Sequence, residues 1–467
     1  MGAEGGEAPA SKVAVVVRVR PPLRSEVAYD HAIHIVGRKV LCSMGVPKSA
    51  RGAKQPKHRQ MECSFEHTLD MTSTQEDLWR LAAPKVDKVL DGYNATVFTY
   101  GMTGSGKTYS MLGPDMMSLA CEGDPLGVRS SALTWRPGSR DGLLPRAVDR
   151  LFGALESALR GDGATATIAL SYMQIYRESC YDLLSPQTGQ ESLRVREDAR
   201  SGSAFVEGLS EARVTSKEAC FAKLVYGFGN IAYRTTMHNE QSSRSHTILT
   251  LTVEQRSSPG QVRRGKLHLV DLAGNERWDT CGPRMNSLHI KELTSINQSL
   301  HALGNCVQAL SKSAGSCQHV PFRSSVLTLL LKESLSGNGL ILLLCTISSC
   351  SLYQMQTLCT LRFADRARHM KLRAQVNEVI DKRSLLEQSQ AEVVYLRSLV
   401  AEASVGLTMQ EKLAKLENEN SKLSGENQEL KQKVASLSAS QKLSSGLLHA
   451  SESISLTAGG NPKIGLR

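Results

Sequence analysis

Gly101-Met102-Thr103-Gly104-Ser105-Gly106-Lys107-Thr108 is the stretch on which the reading of this chain turns. Gly101, Gly106, Lys107 and Thr108 fit G-x-x-x-x-G-K-[ST], the spacing of a phosphate-binding loop. Glycines let backbone N–H groups turn inward around phosphate oxygens, where a side chain would collide. Lys107 can place a point charge on the outer phosphates, and the Thr108 hydroxyl can ligate magnesium. Ahead of the loop, Ala95-Thr96-Val97-Phe98-Thr99-Tyr100 is an apolar run that predicts a buried parallel strand. Behind it, Tyr109-Ser110-Met111-Leu112 opens a helix whose positive end faces the phosphates.

The rest of the chain gives that loop a setting. Its 467 residues, 41% of them hydrophobic, can bury a large core and hold more than one unit. A formal net charge of +11 suggests an acidic partner, either nucleic acid or an acidic protein surface. The eleven cysteines show no C-x-x-C pair and no metal-ligand spacing, so they read as reduced thiols in a cytosolic protein. Met1 to Ser11 lacks the basic start and apolar core of a signal peptide. The longest apolar runs, such as Leu340 to Ile347, are too short to span a bilayer. A soluble intracellular protein with no membrane span is expected.

In chain order, Val13 to Arg18 reads as a buried strand ended by Pro21-Pro22. Gly45 to Arg59 is a basic, solvated insertion, and a helix starts at Ser73 or Thr74 and ends at Leu90. Gly113 to Gly142 reads as a long surface loop, Leu143 to Ala158 and Thr215 to Tyr226 as helices, and Thr167 to Tyr176 as a strand. Two more motifs follow. Asn239-Glu240-Gln241-Ser242-Ser243-Arg244-Ser245-His246 is a dense polar stretch before a strand at Thr247 to Val253. Leu267 to Glu276 is an apolar strand ending in Asp271, followed by Gly274, whose N–H is free to approach an anion. An aspartate at the end of a second core strand is where phosphate-loop NTPases hold the magnesium shell. Three elements that can converge on one nucleotide imply an NTPase. The fold expected is α/β, with a central mostly parallel sheet, helices on both faces and the ligand at the carboxyl ends of the strands.

Gly101–Thr108, Asn239–His246 and Asp271–Glu276 together resemble the motor domain of kinesins, over residues 13–371. Arg18-Val19-Arg20-Pro21, His319-Val320-Pro321-Phe322-Arg323 with Leu327-Thr328, and Leu358 to Ala367 support the resemblance. It implies ATP hydrolysis coupled to movement along microtubules, with ATP and Mg2+ as cofactors and a place in the cytoplasm on the cytoskeleton. By position, it implies that Arg18, Arg20 and Pro21 border the adenine and that Tyr109 stacks on it. Lys107 and the amides of Gly101, Met102, Thr103, Gly104, Ser105 and Gly106 would hold the phosphates. Thr108 and Ser243 would ligate magnesium, with Asp271 reaching it through water. Gly274 would sense the γ-phosphate and Ser242 position the attacking water. Arg244 and Glu276 would form the ion pair that closes the site, excluding water and strengthening the electrostatics of phosphoryl transfer.

The sequence departs from the family in places. Met102 stands where glutamine is usual and Asn275 where serine is usual, both read as peripheral to the chemistry. In the stretch expected to meet the microtubule, Phe322 to Leu331, the usual polar and basic residues are missing at Ser324, Val326 and Leu329. Arg323 remains, with Arg284, Lys291 and Lys332 nearby. Weaker or more salt-sensitive binding to acidic tubulin is expected, offset by the basic stretch Lys48 to Arg59. Arg277 to Ser295 departs as well. A second reading is therefore a kinesin-like protein that binds or regulates microtubules without walking, using ATP as a switch. Direct nucleic-acid binding is not expected, since no groove-reading or aromatic-stacking motif is present.

Beyond the motor, residues 372–380 resemble the neck linker, with Asn377 as its latch, which implies plus-end-directed movement. Residues 381–440 read as coiled coil with a break near Gly406. Met409, Leu416, Leu423, Leu430 and Leu437 occupy one seam position, with Leu413, Asn420, Asn427 and Val434 at the other. That pattern favours a parallel homodimer through 409–437; a single helix folding back on the motor is the alternative. Residues 1–12 read as an N-terminal extension and 441–467 as a tail without fixed structure.

Overall fold

The run Ala95–Tyr100 is buried at all six positions, because it is the middle of a sheet covered on both faces. The computed structural model describes residues 11–44, 59–121, 138–158, 165–185, 191–199, 202–237, 244–257, 261–276, 287–312, 319–380, 382–403 and 409–449. The basic stretch 45–58, Ser242 and Ser243, Arg284, and residues 450–467 therefore lie outside the described residues. The chain divides into two units, Met1–Ser384 and Leu385–Arg467.

Five strands of the first unit carry the site: β1 (Ala14–Arg20), β2 (Ala95–Tyr100), β3 (His246–Ser257), β4 (Gln261–Asp271) and β5 (Leu340–Ser348). They belong to a ten-stranded sheet. Across its main path the order is Ala212–Val214, Thr165–Tyr176, β3, β4, β2, β5, β1 and His67–Leu69. From β4 to His67–Leu69 every pairing is parallel. The rest of the path is antiparallel, so the central sheet is mixed and mostly parallel along this path, as expected, and parallel where the phosphate loop sits. The reason is local: β3 and β4 pair from Thr247↔Asp271 to Ser257↔Gln261, and so short a connection closes a hairpin, whereas a parallel pair needs a crossover.

Alternate residues of each strand feed two cores. Val97, Leu342 and Leu344 pack with α1 (Gln75–Leu90) and α3 (Leu143–Ala158), through residues such as Leu78, Val86 and Leu151. Phe98, Tyr100 and Leu343 pack with α4 (Ser287–Lys312) and α5 (Gln354–Ala367), through Leu303, Val307, Leu361 and Phe363. Helices on both faces are thus as the sequence predicts. The start of α1 is also as predicted. Thr74 is its N-cap, with Asp77 N donating to Thr74 Oγ1 and Thr74 N to an Asp77 oxygen.

Some boundaries are corrected. The stretch Gly113 to Gly142 is not all loop, since Pro114–Cys121 is helical. The helix expected at Thr215 to Tyr226 runs Lys217–Met237. Gly265 is required by packing that no local pattern announces. A Cβ there would lie 2.0 Å from the carbonyl oxygen of Val89, where the end of α1 crosses β4.

The second unit continues the helix Lys382–Ala403 and contains Met409–His449. Helix continues past Ser438 and past the expected boundary at residue 440, because the Ser-rich segment holds no proline to break it. Leu413, Leu416, Leu423, Leu430, Val434 and Leu437 are exposed along the single helix. No described helix is long and apolar enough to cross a membrane.

Candidate nucleotide site

At the carboxyl end of β2 the chain turns through the phosphate loop into α2 (Lys107–Leu112). Gly101 is obligatory there: a Cβ would stand 2.3 Å from Thr346 O of β5 and 2.7 Å from Ser105 Oγ. Gly104 and Gly106 have φ of +73° and +100°, a conformation glycine adopts without strain. Ser105 Oγ donates to Met102 O at 2.7 Å, which folds the loop on itself. Lys107 is buried, its Nζ donating to Gly101 O at 3.0 Å and Met102 O at 2.9 Å. Two carbonyls leave one of the ammonium's three donors for an anion. Burial lowers the lysine's pKa, and nearby Asp271 and Glu276 oppose that shift.

Parallel pairing of β4 with β2 sets Asp271 beside Thr99. Thr99 Oγ1 donates to Asp271 Oδ1 at 2.7 Å, and Thr108 Oγ1 donates to Asp271 Oδ2 at 2.6 Å. A hydroxyl and a carboxylate in contact are hard oxygen donors, which suit Mg2+ held by few protein ligands. Thr108 and Asp271 suit the ion; Ser243, the third predicted ligand, lies outside the described residues.

The loop after Asp271 is held at successive residues. Ala273 N donates to His246 Nδ1 at 3.0 Å. Since Nδ1 accepts, the ring proton is on Nε2, which donates to Ser299 Oγ of α4 at 2.8 Å. Burial, and then the charge of Lys107, pushes this imidazole down to about 3, so it stays neutral. No role for His246 follows from the sequence beyond its place in the 239–246 stretch. Gly274 sits where a Cβ would meet Glu276 Oε2 and Thr103 Oγ1 at 2.3 Å. Asn275, read as peripheral, donates through N to Gly101 O at 3.3 Å and through Nδ2 to Thr360 Oγ1 at 2.9 Å.

Glu276 takes two bonds from Thr103, one from its N at 2.8 Å and one from its hydroxyl. Thr103 holds the carboxylate in this arrangement, and no Arg244–Glu276 ion pair is seen among the described residues. Arg244 is buried two residues before β3. Around the adenine position the picture is also sharper than the motif. Arg18 is buried, donating to Gln75 Oε1 at 2.7 Å and Ser110 Oγ at 2.9 Å, with its guanidinium 5.6 Å from the Tyr109 ring centroid. Arg18 therefore clamps α1 to α2 behind the rim. Arg20 reaches the loop, its Nε donating to Gly104 O at 2.7 Å, and is oriented by Glu26. Tyr109 is 41% exposed, which leaves ring surface for stacking.

At the far end of β4, Glu378–Ile380 pairs antiparallel with Gln261–Arg263. Asn377 Nδ2 donates to Gly92 O at 3.1 Å and Asn94 Oδ1 at 3.0 Å. Its backbone N donates to Gly92 O at 2.9 Å, and its carbonyl accepts from Arg264 N at 3.0 Å. Asn377 thus fastens residues 376–378 to the turn at Gly92 and Asn94. Near the expected track face, Arg323 donates to Glu197 at 2.9 Å, and Lys332 Nζ donates to Gly202 O at 2.7 Å and lies 3.4 Å from Glu197.

A family model for the kinesin motor domain matches residues 18–370. Kinesin-like protein KIF19 of Xenopus laevis is 35% identical over 382 residues, 80% of this chain and 35% of that protein. The kinesin heavy chain of Neurospora crassa is 34% identical over 401 residues, 85% of this chain and 38% of that one. The solved structure of a fast kinesin superposes with a TM-score of 0.65 at 33% identity, covering 79% of this chain and 95% of that one. The chain spans about a third of the length of these two curated relatives.

Proposed function

This chain belongs to the kinesin motor-domain family, and from that premise we propose that it is an ATP-hydrolysing microtubule motor directed to the plus end, working in the cytoplasm on the cytoskeleton. One observation carries the reading. A single strand, β4, ends in Asp271 at the nucleotide site and pairs through Gln261–Arg263 with the linker at its other end. A change felt at Asp271 and the loop after it can thus reach the linker through one rigid element.

In this reading Lys107 and the loop amides would hold the phosphates, and Thr108, Ser243 and Asp271 would hold Mg2+. Bound magnesium neutralises charge on the transferring phosphoryl group. Ser242 orients the attacking water. Gly274 N–H faces the γ-phosphate. Closure requires Glu276 to exchange Thr103 for Arg244, shutting out water at the moment of transfer. Release of phosphate frees the loops again, an order–disorder switch used by many NTPases. Pairing of Leu413, Leu416, Leu423, Leu430 and Leu437 with a second copy over 409–437 would make the motor a parallel homodimer.

Microtubule-stimulated ATPase measured beside a gliding assay tests the proposal. Stimulation without gliding would favour the second reading, an ATP-switched microtubule binder. The observation behind that alternative is that Arg323 and Lys332 are both engaged by Glu197, while Val326 and Leu329 carry no charge. Val326→Lys is expected to tighten co-sedimentation with microtubules by about three- to tenfold at moderate salt, with a steeper salt dependence. Unchanged binding would remove the charge explanation. Asn377→Ala is expected to keep ATP turnover within about twofold yet slow gliding at least about tenfold, since two buried-side hydrogen bonds bias the linker by about 1–3 kcal/mol. Gliding at the parent speed would show that the latch carries no force.

A further inference from the structure

Asn275 stands between the residue whose amide faces the γ-phosphate and the glutamate of the closing pair. Its side chain leaves the site altogether and binds α5, donating from Nδ2 to Thr360 Oγ1 at 2.9 Å. The Thr360 hydroxyl in turn donates to Gln356 O at 3.0 Å. Its one proton is thus committed, and the bond to Asn275 can run only from amide to hydroxyl. One turn further along α5, Phe363 stacks on Tyr100, with ring centroids 4.0 Å apart and planes at 15°. Tyr100 is the last residue of β2 before Gly101, and Gly101 O accepts from Asn275 N. Thr360 and Phe363 therefore present one face of α5 to the two loops that surround the phosphates. After α5 the chain passes at once into Lys371–Leu372, which pairs with Ser11–Lys12, and then into the linker.

Fold stability does not explain an amide here. Asn275 Oδ1 is buried and has no hydrogen-bond partner among the described residues, a loss a smaller or apolar side chain would avoid. The useful half of the group is the NH2, which bonds Thr360 on the helix that leads to the linker, while the side chain also interacts with the Tyr100 hydroxyl. We propose that Asn275 is a positioning residue: through Thr360 it holds the Gly274 amide toward the γ-phosphate and ties that loop to the helix from which the linker emerges. This rests on the ATP-driven reading above. It adds a second route from site to linker, independent of β4, and it assigns a role to a position that the motif pattern treats as incidental.

The test uses the full chain in four forms, parent, Asn275→Ser, Thr360→Val and Thr360→Ser. Each is measured for ATP turnover, for binding of ADP and of the non-hydrolysable analogue AMPPNP, and for hydrogen–deuterium exchange of the 371–380 peptide with each nucleotide. Asn275→Ser and Thr360→Val are expected to weaken AMPPNP about five- to tenfold, the scale of one lost hydrogen bond, and to leave ADP binding unchanged, because ADP has no γ-phosphate. Both should at least halve the difference in 371–380 exchange between AMPPNP and ADP. Thr360→Ser keeps the hydroxyl and should behave as the parent. A general loss of structure would weaken both nucleotides together and would overturn the proposal. So would parent-like AMPPNP binding in Asn275→Ser, or a Thr360→Ser protein as impaired as Thr360→Val. A parent chain that binds nucleotide but does not turn over ATP would instead refute the functional reading on which this one stands.

Discussion

Lys107→Ala is expected to lower ATP turnover by about three orders of magnitude, about 4 kcal/mol of lost transition-state stabilisation. The ammonium is buried, and two of its three donors are fixed by Gly101 O and Met102 O. It is therefore pre-oriented and shielded from solvent, where a charge aimed at developing phosphate charge is worth most. The same geometry predicts that the fold survives. Removing a desolvated cation relieves its burial cost and leaves two carbonyls short of a partner, two effects of opposite sign and of order 1–2 kcal/mol. A thermal melt within a few degrees of the parent, together with a single-turnover rate near background, is the expected pair of results. Turnover within tenfold of the parent would mean that Lys107 is not the phosphate lysine.

Gly274→Ala is expected to cut turnover by about 10²- to 10³-fold for a different reason, the loss of one positioned backbone donor. An added Cβ would lie 2.3 Å from both Glu276 Oε2 and Thr103 Oγ1, and 2.5 Å from Glu276 Oε1. None of these can stay. All three are ends of flexible side chains, so Glu276 and Thr103 must swing apart, and the bond between them that braces the loop beside the amide of residue 274 is lost. Because the proposed reading puts this clash on the γ-phosphate side, nucleotide should still bind while hydrolysis fails. Equilibrium binding of a fluorescent ADP beside a phosphate-release assay separates the two. Hydrolysis at the parent rate would show that the amide of residue 274 plays no part in the reaction. Lys107→Ala, by contrast, should weaken binding and hydrolysis together.

Both predictions use geometry read at different depths. The glycines and the lysine of the phosphate loop were legible because eight consecutive residues set their own backbone: φ of +73° at Gly104 and +100° at Gly106 are conformations that local sterics nearly restrict to glycine. The cap at Thr74 and the continuous burial of Ala95–Tyr100 are legible for the same reason, being patterns of neighbours. Resemblance carried the reading across longer gaps, pointing to Asp271 with Thr108 and to Asn377, which meet their partners at Thr108 and at Gly92 and Asn94. It was less informative where partners compete. The motif names Arg244 and Glu276 as a pair, but nothing in it says that Thr103 can occupy the carboxylate. Nor does it say that Arg18 will be taken by Gln75 and Ser110.

The sequence by itself determined the class of fold, the phosphate loop and the position of the second aspartate strand, because each is written in short-range pattern or in a run of motif residues. Only the tertiary structure decided which polar groups meet. Thr108 finds Asp271 across 163 positions because β4 and β2 pair in parallel in one register. Asn275 finds Thr360 because α5 lies against the same end of the sheet. A side chain carries the same donors wherever it is, so its residue type states what it can bond; strand register and helix packing, set by apolar burial on both sheet faces, state what is within reach.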